Sequence, residues 1–159
     1  MFGPQQNDPF NAIDGADATG QRNPYLLRGQ YLLRIVQCKS FESRQRKLFY
    51  LVELDVVQSD NHDRPEGMRV SWMTNLGLDM GPINVKRFLG AAMGMDPSDP
   101  KVNQEINSDV ARMSVDDTQP LHGTLIYAQC SDITTKAGTP FLDVRWAPVA
   151  QGDAVAAAG

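Results

Sequence analysis

Histidine and cysteine are scarce in this chain of 159 residues, with two of each. Cys38 and Cys130 lie in separate apolar segments with no CxxC spacing, and His62 and His122 add no cluster beside them. A zinc site needs gathered ligands and a disulfide needs a partnered thiol, so both thiols are read as small buried or half-buried groups. No metal or other cofactor is expected. Long hydrophobic runs are missing too: none approaches the roughly 18 apolar residues that a membrane span requires. No basic stretch leading into an apolar run opens the chain, so a secretory signal is not expected and the protein is expected in the cytoplasm. Positive charge is in deficit, with 15 Lys and Arg against 19 Asp and Glu, net −4. That balance argues against indiscriminate whole-surface binding to polyanions but leaves room for a local basic groove. The phosphate loop GxxxxGK[ST] and the nucleophile elbow GxSxG are both absent.

What the chain does contain is ordinary core-forming material, distributed unevenly. Hydrophobic residues make up 42% and charged residues 21%, enough for one folded domain without a staple. Residues 1–24 are rich in Gly, Pro, Asn, Asp and Gln and are expected to form a flexible arm. Residues 150–159 are rich in Ala and Gly and are expected to be a frayed tail. The domain is expected over 25–149.

Within it, Gly29 to Lys39 crowds Tyr31, Leu32, Leu33, Ile35, Val36 and Cys38 into a strand. Leu48 to Val57 alternates, with Val52, Leu54 and Val56 on one face and Glu53 and Asp55 on the other. Met68, Val70 and Trp72 alternate in a third strand. The period changes at Gly81-Pro82, where Ile83, Val85, Phe88, Leu89 and Ala92 follow at helical spacing up to Gly94. Asp99-Pro100 opens a second helix through Val102, Ile106 and Val110. Strand character resumes over Leu121 to Cys130 and again over Phe141, Leu142, Val144 and Trp146, across the loop Thr134–Thr139. The order is β-β-β-α-(α)-β-β. The fold class is mainly β: a five-stranded OB-fold barrel with one helix, or two, between strands 3 and 4.

Charge and rings coincide at one place. From Arg28 to Tyr50 there are six basic residues and one acid, beside Phe41, Phe49 and Tyr50. Single-stranded nucleic acid wants both: cations for its phosphates and flat faces for its unpaired bases. Arg44, Arg46 and Lys47 are the candidate phosphate contacts, supported by Arg34, Lys39, Arg69 and Lys136. Phe49 shares its parity with Glu53 and Asp55 and is the better stacking residue; Tyr50 shares parity with Val52 and faces the core, unless a bulge exchanges the two. Phe41, in a polar loop, is a stacking residue or a cap on the barrel end. Trp72 is in phase with Val70, which points it to the core, and it is kept among the binding candidates with Phe141 and Arg145.

The segments Tyr25-Leu-Leu-Arg-Gly-Gln-Tyr, Phe49-Tyr-Leu-Val-Glu-Leu-Asp-Val, Val85-Lys-Arg-Phe-Leu and Lys136-Ala-Gly-Thr-Pro-Phe resemble the small OB-fold single-stranded-DNA-binding proteins of tailed phages. The resemblance covers roughly 25–148. It implies a protein that coats single strands in phage replication or recombination, working with replication or recombination proteins in the host cytoplasm; a homo-oligomer, through an exposed edge, the N-terminal arm or the second helix, stays open. It also implies a ligand crossing strands two and three between the loops Ser40–Lys47 and Thr134–Thr139. Many such proteins end in an acidic tail, whereas this chain ends Gln151-Gly-Asp-Ala-Val-Ala-Ala-Ala-Gly with a single acid.

Other classes compete. Glu53, Asp55 and Asp143 could hold Mg²⁺ for phosphodiester hydrolysis, but no neighbouring Lys or His completes a nuclease pattern, and no enzyme activity is expected. RNA in place of DNA stays open, because parity does not place contacts to the 2′ position. A β-barrel interaction or virion protein, with its basic loop meeting a protein partner, is the alternative.

Overall fold

The computed structural model describes residues 23–150, so nearly all of the expected arm and tail lies outside the described residues. Five antiparallel strands form one sheet in the order β3-β2-β1-β4-β5. They are β1 (Gly29–Glu42), β2 (Leu48–Ser59), β3 (Arg69–Asn75), β4 (Leu125–Thr134) and β5 (Pro140–Pro148). Three helices, α1 (Met80–Ala92), α2 (Lys101–Glu105) and α3 (Ser108–Ser114), fill the connection from β3 to β4. The mainly β class and the element order agree with the sequence reading.

Alternation decides which face each strand buries. Tyr50, Val52, Leu54 and Val56 are all buried on β2, opposite Val70 and Trp72 of β3 and Ile35 and Cys38 of β1. Phe88 of α1 packs onto this face against Tyr50, Trp72 and Trp146. In a flat sheet β3 and β5 would lie about 19 Å apart, four spacings of about 4.8 Å. Yet the rings of Trp72 and Trp146, one on each edge strand, meet edge-on with centroids 5.1 Å apart. The sheet is therefore strongly curled. Its two edges meet through indoles, and no hydrogen-bonded ladder joins them, so the sheet is open and not a closed barrel.

The helical region departs from its expectation. The single second helix is broken in two at Ile106, whose backbone is extended (φ −94°, ψ 93°). Asn107 then starts α3, its side chain accepting hydrogen bonds from the Asp109 and Val110 amides. Ile83, expected on the apolar stripe of α1, is exposed. Val85, Phe88, Leu89 and Ala92 are buried as expected, and Gly81 joins their stripe. Gly81 has to lack a side chain, because a Cβ there would run into the Asn75 carbonyl. The fourth strand begins at Leu125 rather than Leu121 because residues 116–124 form a chain of turns along β1.

Candidate nucleic-acid interface

The β1–β2 hairpin carries the densest group of expected binding residues. Its tip closes with the Ser43 amide donating to the Lys47 carbonyl (2.8 Å) and the Arg46 amide donating to the Ser43 carbonyl (2.9 Å). The Ser43 hydroxyl accepts from the Lys47 amide at 3.2 Å. This three-residue turn needs a left-handed residue in its last position, and Arg46 takes it with φ 60°. Arg44, Arg46 and Lys47 are all exposed, and among the described residues none of them is in an ion pair.

Below the tip, register places Phe41 opposite Phe49. Their rings stack with centroids 5.4 Å apart and planes 22° from parallel. Phe41 keeps 40% of its surface exposed, more than a buried cap on the barrel end would. Phe49 is half-buried on the outer face, while Tyr50 is buried with its hydroxyl 2.7 Å from the Ser114 hydroxyl. The two residues keep the faces that β2 parity assigned them.

Phe41 reaches the outer face through a bulge that the sequence did not reveal. Ile35 pairs with Leu54 and Gln37 with Glu53, leaving Val36 as an extra residue on β1. Without it, Phe41 would share parity with inward-facing Ile35. The bulge is held by residues far along the chain. The Gln119 side chain accepts from the Cys38 amide (2.8 Å) and donates to the Cys38 carbonyl (2.9 Å), extending the bonding along β1 past the point where β4 begins. The His122 Nδ1 lies 2.8 Å from the Val36 carbonyl. Neither residue was among the sequence candidates, and no local pattern signals a bond across 81 positions.

The outer face of the sheet continues from the ring pair through Leu51 and Met73 to a charged band. Lys39 pairs with Glu53 at 3.4 Å. Arg69 grips both oxygens of Asp55, at 2.9 and 3.3 Å, and this bonding raises the guanidinium pKa further. Arg34 is half-buried in the same band, in register with Asp55.

Three expected residues form a separate group. Lys136, Phe141 and Arg145 belong to the β4–β5 hairpin, and Arg145 lies 3.5 Å from Asp143. Pairing of β1 with β4 ends at Gly29 and Cys130, so this hairpin overruns the start of β1, whereas Phe41 lies near its end. The tips of the two hairpins stand beyond opposite ends of a 14-residue strand. Trp72 requires a correction. Its indole is buried between Phe88 and Trp146, because parity with Val70 turns it inward, and it presents no free face to a base.

Among the described residues no three His, Cys, Asp or Glu side chains gather closely enough to hold a metal ion. Among them, too, no helix is long and apolar enough to cross a membrane. No family model matches this sequence, and no curated protein matches it.

Proposed function

We propose that this chain binds unpaired DNA, with little demand on sequence, at the β1–β2 hairpin, and that it performs no chemistry of its own. The observation that carries the reading is the adjacency of Arg44, Arg46 and Lys47, three cations without an ion-pair partner among the described residues, to the partly open Phe41–Phe49 stack. Phosphates alone would call for the cations; the rings add surface that only unpaired bases can use. The strand order, with β1 between β2 and β4 and a helical insertion after β3, supports an OB-type barrel left open between β3 and β5. The resemblance to phage single-strand binders points the same way. On this reading the protein coats single strands during replication or recombination in the cytoplasm of a bacterial host, alongside replication or recombination proteins and with further copies of itself. RNA is a second substrate within the same chemistry.

The test is fluorescence anisotropy of a labelled oligo-dT across a range of salt. Each phosphate neutralised on a single strand contributes about 0.7 to the slope of log K against log salt, so three cations give about 2. Arg44→Ala with Arg46→Ala is expected to weaken binding and lower the slope by about 1.4. Unchanged binding by a well-folded double variant would remove the hairpin from the site.

A protein-interaction or virion role is the second reading. The exposed apolar residues Leu78, Met80 and Ile83, leading into and along the first turn of α1, favour it. It expects no anisotropy change with oligo-dT at any salt.

A further inference from the structure

The exposed face of β1, β2 and β3 carries acids where a track for phosphates would carry only bases. Beyond the rings, Glu53 and Asp55 stand on the middle strand: Lys39 of β1 reaches Glu53, Arg69 of β3 holds Asp55, and Arg34 of β1 lies in register with Asp55. The Glu53 side chain keeps only 19% of its surface exposed and that of Asp55 only 33%. Lys39 and Arg69 keep 39% and 48% of their side-chain surface exposed, so neither pair is sealed from water and neither adds much to folding. Their effect on a polyanion is large by comparison. A cation already held by a carboxylate releases no counterion when phosphate approaches, and the carboxylate itself repels phosphate. The hairpin tip differs, since among the described residues Arg44, Arg46 and Lys47 have no acid partner.

We propose that Glu53 and Asp55 are specificity-determining residues that keep the sugar-phosphate backbone off the sheet face, confining it to the hairpin tip and favouring unpaired bases over duplex. The inference rests on the hairpin binding unpaired DNA and deepens it. A duplex can offer the face only phosphates, which Glu53 and Asp55 turn away. A single strand can lay bases over Phe49, Leu51 and Met73, which are half-buried on the same face, while its phosphates stay with the tip.

The test compares a labelled single strand with a duplex of equal length, for wild type and for Glu53→Gln with Asp55→Asn. Freeing Lys39 and Arg69 is expected to tighten duplex binding roughly tenfold and to steepen its salt slope by about 1–2, with a smaller gain for the single strand. Preference for the single strand then falls. A second variant deletes both pairs whole, by Lys39→Gln, Glu53→Gln, Arg69→Gln and Asp55→Asn. Its single-strand slope is expected to match wild type, because the deleted cations were already neutralised. Unchanged preference in the first variant, or a lowered slope in the second, overturns the restraint while leaving hairpin binding intact. A wild type that binds no unpaired DNA overturns the hairpin reading itself, and the restraint with it.

Discussion

Cys38 and Cys130 are buried thiols whose acidity ties them to stability. Burial pushes Cys38 up to about 11. Burial, helped by the carboxylates of Asp143 and Asp132, pushes Cys130 up to about 12. In the unfolded chain both thiols ionise near their ordinary 9.0. Below that pH both states hold the protons and the thiols add no pH dependence. Above it the unfolded state gives up protons that the folded state keeps, so stability falls as pH rises toward 11 and 12. Tyr50, raised by burial beside Cys38, adds to the loss in the alkaline part of this range. The thermal midpoint is expected to drop between pH 9 and 11, and to drop less steeply in Cys38→Ala. A variant whose midpoint falls in parallel with wild type would contradict this account of the thiols.

At the scale of elements, the two hairpins share one hydrogen-bond plan. Thr135 and Thr139 repeat the bonds of Ser43 and Lys47, and the Gly138 amide repeats that of Arg46. The left-handed position is glycine in one hairpin (φ 84°) and arginine in the other (φ 60°). A side chain in that conformation costs about 1–2 kcal/mol, which glycine avoids. Arg46→Gly is therefore expected to raise the thermal midpoint while weakening oligo-dT binding. A lower midpoint, or unchanged binding, would contradict the idea that the arginine is kept for its charge. The strands bearing these hairpins were legible in the sequence because period two survives along β2, putting Tyr50, Val52 and Leu54 inside and Phe49, Glu53 and Asp55 outside. β1 was less legible. Its bulge at Val36 reverses the face of Phe41, and the bulge depends on Gln119 and His122, which no local window contains. The break between α2 and α3 was signalled by Asn107-Ser108-Asp109, a capping sequence that the wider apolar spacing of Val102, Ile106 and Val110 masked.

Across the whole molecule, a curled sheet is closed by aromatic side chains where a barrel would use hydrogen bonds. Trp72, Trp146 and Phe88 form that seam, with each ring centroid 5.0–5.6 Å from the others. Parity pointed both indoles inward, but their meeting across opposite edges depends on curl, which periodicity does not encode. The same limit governs the site. Charge and rings along residues 39–49 were legible as one group because they are neighbours in sequence. The separation of Lys136, Phe141 and Arg145 from that group, and the carboxylates beside Lys39 and Arg69, emerge only from the pairing of strands. The most direct measurement is a map of amide chemical shifts in the labelled protein as oligo-dT is added at low salt. The account expects perturbations concentrated in Ser40 to Tyr50, with Lys136 to Phe141 little changed. Shifts confined to the β4–β5 hairpin, or none at all under conditions where the protein stays folded, would contradict it.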